Sequence, residues 1–216
     1  TLSADEPTLS ADEPTLSADE PTLSADEIAR LVQSRHDAPY GVLGPHPAPG
    51  GRGTVVRAFL PEAVCVRLRV AGQGEADHPE TLRSIDPQGV FEVILPDVPD
   101  PASMPPYHFL VRWSGDAALV AVADPYRFSP PEFTEQDAAL FATGRHAALF
   151  EKLGARPTER GGTAGADFGV WAPGAGRVSV VGSFNAWDGR RHPMQRRGTS
   201  GVWQIFVPGA APGDLY

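Results

Sequence analysis

Two stretches of this chain repeat at one constant offset, and that duplication limits the architecture more than any other feature. Advancing the numbering by 112 places Arg57-Ala58-Phe59-Leu60-Pro61 on Gly169-Val170-Trp171-Ala172-Pro173. The same offset places Gly89-Val90-Phe91-Glu92-Val93-Ile94-Leu95-Pro96 on Gly201-Val202-Trp203-Gln204-Ile205-Phe206-Val207-Pro208. An equal shift over two separated blocks indicates two copies of one module. Each copy reads as a strand with a central aromatic, a proline turn, a second strand, a loop, and a third strand opened by Gly-x-aromatic. Val64, Val66, Leu68 and Val70 alternate with Cys65, Arg67 and Arg69, giving one buried and one wet face. Val178 and Val180 repeat this with Arg177 and Ser179. Tyr107 to Trp113 and Ala117 to Val122 read as a closing hairpin around Ser114-Gly115-Asp116. Short strands at this spacing predict an all-β chain of two tandem immunoglobulin-like (early-set) sandwich modules. Phe59, Phe91, Trp171 and Trp203 are the expected core aromatics, each burying roughly 150–250 Å².

Composition agrees. Gly and Pro number 23 each among 216 residues, which suits a turn-rich β chain better than a helical bundle. The net charge is −9, but residues 1–27 hold eight acidic residues and no basic one, so the remainder is near neutral. That argues against a nucleic-acid or anionic-membrane surface. The single cysteine, Cys65, allows no internal disulfide, and no basic-then-apolar leader opens the chain. Both features point to a cytoplasmic protein, read as a monomer.

The heptad TLSADEP fills 1–7, 8–14 and 15–21, and a fourth TLSADE fills 22–27. Proline at every seventh place breaks a helix and one leucine per heptad is too thin a coiled-coil seam, so 1–21 reads as a disordered arm. The fourth copy lacks the proline. Ser24 with Glu27 forms a capping box, and Ile28, Leu31 and Val32 form an apolar stripe, predicting a helix from about Ala25 to Ser34. The first module then occupies 22–127. A linker over 128–160 is expected to hold two short helices, Thr134–Ala142 and His146–Leu153, each stopped by a glycine, Gly144 and Gly154. Gly161 to Gly165 reads as a flexible lead-in to the second module, 161–216. Tyr216 pairs with Tyr107 once the offset shortens from 112 to 109, so this copy is expected to lack its closing strands.

The segment richest in chemistry is Gly182-Ser183-Phe184-Asn185-Ala186-Trp187-Asp188-Gly189, a loop after a strand. A loop Trp187 offers a flat apolar face suited to the C–H face of a sugar ring, and Asn185 could add hydrogen bonds. Folding down as a lid on the core is the equal alternative from chemistry alone. The first copy carries Gly72, Gln73 and Glu75 where Phe184, Asn185 and Trp187 stand, so the fold does not demand that indole.

Val180 to Asp188 resembles the signature of family 48 carbohydrate-binding modules, which bind α-glucans. His36-Asp37-Ala38-Pro39-Tyr40-Gly41-Val42-Leu43-Gly44-Pro45-His46 resembles the opening of the extra N-terminal module of bacterial 1,4-α-glucan branching enzymes, of glycoside hydrolase family 13. The segment from Phe141 through His146 to Ala155 resembles the piece joining the two modules there. The resemblance implies a non-catalytic, glucan-contacting front end of a branching enzyme, with Trp187 and Asn185 as carbohydrate contacts and no catalytic residue, cofactor or metal in this chain. Its partners would be α-1,4-glucan and a catalytic barrel beyond Tyr216. A stand-alone glucan-binding scaffold, or the front of a debranching enzyme or trehalohydrolase, are the other readings. His36 and His46, ten apart without a cysteine partner, read as loop hydrogen-bonders rather than zinc ligands. Arg190, Arg191, His192, Arg196 and Arg197 read as a solvated face or a patch docking on the barrel. Cys65 reads as a spectator thiol.

Overall fold

The computed structural model describes residues 20–51, 53–72 and 79–216; the arm read as disordered lies, up to residue 19, outside the described residues. The first copy folds as two four-stranded antiparallel sheets packed face to face. One sheet orders β1 (Gly44–Pro47), β2 (Thr54–Phe59), β6 (Val90–Leu95) and β5 (Arg83–Asp86); the other orders β4 (Glu80–Thr81), β3 (Ala63–Val70), β7 (Tyr107–Trp113) and β8 (Val120–Val122). Val56, Ala58, Phe91 and Leu95 from the first sheet meet Val66, Leu68, Phe109 and Val111 from the second in one core. Val64 departs from the alternation expected of β3. The pairing of β3 with β7 slips between Ala63 and Cys65, and the extra residue of this bulge leaves Val64 57% exposed.

Among the described residues the second copy holds one four-stranded sheet, ordered β11 (Gln195–Arg196), β12 (Val202–Pro208), β10 (Thr163–Trp171) and β9 (Gly154–Arg160). The duplication persists down to single hydrogen bonds. Leu60 N–H donates to Gly89 O at 2.8 Å, and Ala172 N–H donates to Gly201 O at 2.8 Å. Leu82 N–H donates to Val66 O and Met194 N–H to Val178 O, both at 2.9 Å. The Gly-x-aromatic opening of the third strand has a steric cause. Gly89 and Gly201 adopt φ of 106° and 76°. A Cβ on Gly89 would lie 2.5 Å from the Leu60 carbonyl oxygen, and one on Gly201 would lie 2.7 Å from Pro173 Cβ.

Equivalence of position does not give equivalence of burial. Phe59, Phe91 and Trp203 are buried as expected, but Trp171 is 57% exposed. Phe59 lies in a cluster with Leu31, Leu43 and Tyr126, which cover the outer face of its sheet. Leu31 belongs to α1 (Ala25–Val32), which packs on that face, whereas Trp171 stands in neither buried cluster. The stretch 177–181, expected as a strand, makes only the isolated bridge Ser179 to Pro193. In the first copy β3 is held by β4 and β7, and no counterpart of β7 stands beside 177–181 in these residues.

Local capping signals set the helices. Ser24 Oγ accepts from Glu27 N–H and Glu27 returns the bond to Ser24 N–H, which starts α1. The last repeat copy is tied down just ahead of it: Thr22 N–H donates to the Glu92 carboxylate at 3.2 Å, and Leu23 is buried. In the linker, Thr134 and Asp137 form a second capping box that opens α2 (Glu135–Ala142). The other expected helix is reduced to a short 3₁₀ turn over Leu149–Glu151. The expected flexible lead-in is instead a tight hairpin. Gly161 and Gly162, at φ of 53° and 75°, form the two-residue turn joining β9 to β10, and β9 occupies the end of the stretch read as linker.

The two copies share a core. Phe59, Val90 and Tyr126 of the first sit in one cluster with Phe168, Met194, Trp203 and Ile205 of the second. Tyr126 O–H donates to Pro193 O at 2.9 Å, and its ring meets Tyr40 edge-on at 5.1 Å.

Candidate functional site

The 182–189 loop leaves an extended stretch, makes one 3₁₀ turn over Ser183–Asn185, and then passes through two left-handed residues in a row, Ala186 at φ 56° and Trp187 at φ 60°. Left-handed backbone costs an ordinary residue about 1–2 kcal/mol, so the surroundings must impose it. They do so through Asn185. Asn185 is 3% exposed, and both its N–H donors and one Oδ1 lone pair are used. Oδ1 accepts from Gly182 N–H at 2.9 Å; Nδ2 donates to Val180 O at 2.8 Å and to His192 Nδ1 at 2.8 Å. Burial, and then the charge of Arg191, push the His192 pKa down to about 4. The ring is therefore neutral near pH 7 and its Nδ1 lone pair is free to accept. Trp187 N–H closes the turn on Gly182 O at 3.1 Å. Gly182 is obligatory, since a Cβ there would lie 2.5 Å from Leu215 O and 2.6 Å from the Phe184 ring.

The loop thus separates the two residues singled out in the sequence. Trp187 stands 53% exposed, with its indole available. Asn185 points inward, buried and bonded three times within the loop and its neighbours, so it holds the loop. The corresponding loop of the first copy falls largely on residues 73–78, outside the described residues.

The basic cluster beyond the loop is not a free solvated face, for it meets the rest of the chain. Arg190 clamps Asp188 through Nε and Nη2 at 2.9 and 2.8 Å and reaches Glu62 of the first copy at 2.7 Å. The Arg190 guanidinium holds the Asp188 carboxyl below its usual value. Arg191 stacks on the Trp113 ring of the first copy at 3.9 Å. Arg196 N–H donates to Asp37 O at 2.8 Å, and Arg197 Nη2 donates to Phe133 O at 3.3 Å. Sequence reasoning missed this docking role because Glu62, Trp113, Asp37 and Phe133 all lie more than 60 residues away. The two histidines read as loop hydrogen-bonders do bond locally: Ala38 N–H donates to His36 Nδ1 at 3.3 Å, and His46 Nε2 lies 3.0 Å from Leu43 O.

Comparison with known proteins adds family to geometry. Residues 24–126 match the family described as "alpha-1,4-glucan branching enzyme GlgB, N-terminal domain". Residues 152–216 match "Carbohydrate-binding module 48 (Isoamylase N-terminal domain)", a span that begins just ahead of β9. The 1,4-alpha-glucan branching enzyme GlgB of Pseudomonas syringae pv. syringae is 42% identical over 190 residues, covering 88% of this chain and 24% of that protein. The enzyme of the same name from Paramagnetospirillum magneticum is 44% identical over 186 residues, covering 86% of this chain and 23% of that protein. That of Rubrobacter xylanophilus is 44% identical over 190 residues, with 88% and 24% covered. The chain spans about a quarter of the length of the relatives it matches.

Proposed function

We propose that this chain, which carries the N-terminal region of the 1,4-alpha-glucan branching enzymes, is the non-catalytic part of such an enzyme that contacts α-glucan, with the Trp187 indole as principal contact. The whole enzyme would open an α-1,4 bond and pass the severed chain to a 6-hydroxyl on a barrel beyond these residues. This part would hold the glucan near that barrel. The observation that carries the reading is an indole more than half exposed on a loop whose backbone is strained and braced to keep it there. A sugar ring presents an apolar C–H face of matching shape, and burying an exposed indole against it removes apolar area from water. Asn185 enters as a positioning residue. The enzyme would work in the cytoplasm as a monomer, in keeping with an unpaired Cys65 and with the absence, among the described residues, of any helix long and apolar enough to cross a membrane.

Titration with maltotriose, followed by tryptophan fluorescence and calorimetry, tests the assignment. Trp187→Ala should weaken binding about tenfold or more, since stacking on an aromatic contributes roughly 1–3 kcal/mol in the comparable case of nucleobases. Trp171→Ala removes an indole of similar exposure away from the loop and should leave affinity unchanged. Parental affinity in Trp187→Ala refutes the site, and a loss at Trp171→Ala instead moves it to the other face.

A further inference from the structure

We infer that the cleft between the two copies is a second saccharide subsite, which receives further glucose units of a chain already resting on Trp187. The inference rests on the reading of Trp187 as a glucan contact and extends it. The cleft holds about 530 Å³, within the roughly 300–1,000 Å³ typical of small-molecule sites. Both copies build it. Trp113, Val120 and Asp124 come from the first; Ala186, Arg191 and His192 come from the second. One loop therefore serves two surfaces. Ala186 lines the cleft, while its immediate neighbour Trp187 stands outside it. Their Cα atoms are about 3.8 Å apart, as for any trans peptide. A compact ligand would use one surface or the other, whereas a chain of linked rings can lie across both.

The lining suits an uncharged, hydroxyl-rich chain. Apolar wall comes from Val120, 47% exposed on the edge strand β8, and from Trp113, whose ring already carries Arg191 at 3.9 Å. A few polar groups converge on that wall. Arg191 lines this wall with its Nε turned to Asp188 Oδ2 at 3.6 Å, and its guanidinium carries further N–H groups able to donate to a hydroxyl oxygen. Asp124 accepts from Tyr107 O–H at 2.6 Å and from Tyr126 N–H at 2.9 Å, which leaves carboxylate lone pairs for a hydroxyl donor. One guanidinium and one carboxylate facing the same space leave little net charge, which disfavours an anionic or cationic ligand over a neutral one.

Maltotriose and maltoheptaose separate the two subsites. Maltotriose spans the Trp187 surface alone; maltoheptaose is long enough to continue into the cleft. The parent chain should bind maltoheptaose at least fivefold more tightly than maltotriose. Val120→Trp, which fills the cleft from an exposed edge position, should erase that advantage and leave maltotriose affinity unchanged. A second readout needs no variant. Backbone amides of Ala121 to Ala123 and Gly209 should shift in ¹H–¹⁵N spectra of the parent on adding maltoheptaose and stay fixed with maltotriose. Persistence of the maltoheptaose advantage in a folded Val120→Trp, or shifts confined to 182–189 with both sugars, overturns the cleft subsite while sparing Trp187. Maltotriose binding that ignores Trp187→Ala overturns the underlying reading instead.

Discussion

Replacing Asn185 by Ala should damage the loop far more than the fold. The side chain makes three hydrogen bonds, to Gly182 N–H, Val180 O and His192 Nδ1, at 2.9, 2.8 and 2.8 Å. A typical net contribution of about 1 kcal/mol each puts the gross loss near 3 kcal/mol. Part of it is offset, because Ala186 and Trp187, at φ 56° and 60°, no longer need to stay left-handed and can release about 1 kcal/mol apiece. The net loss is then about 1–3 kcal/mol. For a chain of this length that lowers Tm by about 3–10 °C. The informative readout is local. Heteronuclear NOEs of the 184–188 amides should fall toward loop values while those of β10 and β12 stay rigid, and sugar affinity should drop with Trp187 still in place. Asn185→Asp distinguishes the bonds from one another: it keeps the acceptor for Gly182 N–H but presents a carboxylate to His192, whose pKa should rise from its present value of about 4. An Asn185→Ala chain with parental Tm and a rigid 184–188 segment would refute the argument that this amide imposes the loop geometry.

Two further outcomes are expected. Two buried groups act on acid stability with opposite sign. His192, held near 4 against an ordinary 6.5, leaves the unfolded chain binding the extra proton, so its contribution to stability is present above 6.5 and is lost as pH falls toward 4. Asp124, raised to about 6 from 3.8 by burial that outweighs its hydrogen bonds, makes the folded chain bind the extra proton, so its contribution grows as pH falls from 6 to 3.8 and is lost as pH rises through 6. Each amounts to about 3 kcal/mol, and they largely cancel. In urea melts between pH 4 and 6.5, stability should fall more steeply toward acid in Asp124→Asn than in the parent, and less steeply in His192→Gln; unchanged slopes in both variants would count against the assignment. The other outcome concerns the tryptophans that occupy like places in the two duplicated blocks. Trp203, fully buried, should cost about 3–5 kcal/mol on change to Ala, and Trp171, 57% exposed, under about 1 kcal/mol by chemical denaturation.

Legibility in the sequence followed the range of the interaction. Both capping boxes, Ser24 with Glu27 and Thr134 with Asp137, close within three residues; the sequence reading names the first and, for the second, only the helix it opens. The constant offset between the copies was readable too, because hydrogen bonds such as Leu60 to Gly89 and Ala172 to Gly201 demand the same glycine and the same proline turn in each. The hairpin at Gly161-Gly162 carried a usable signal, two glycines between β-compatible runs. It passed as flexible lead-in because Pro157 and the charges of Arg156, Glu159 and Arg160 obscure the strand before it. The loop was legible as a loop, but the opposite fates of Asn185 and Trp187 were not. Their spacing gives no hint that one amide closes on Val180 and His192.

The sequence alone therefore determined what repeats, where the two capped helices begin, and that an indole sits on a polar turn, since periodicity, caps and glycine-dependent turns are written within a few residues. The tertiary structure alone decided exposure. Phe59 is covered because α1 and the neighbouring copy pack over it, while Trp171, its counterpart, meets nothing equivalent. The arginines after the loop became a seam because Glu62, Trp113, Asp37 and Phe133 arrive opposite them. Burial is a property of what lies across space, and no offset along the chain encodes it.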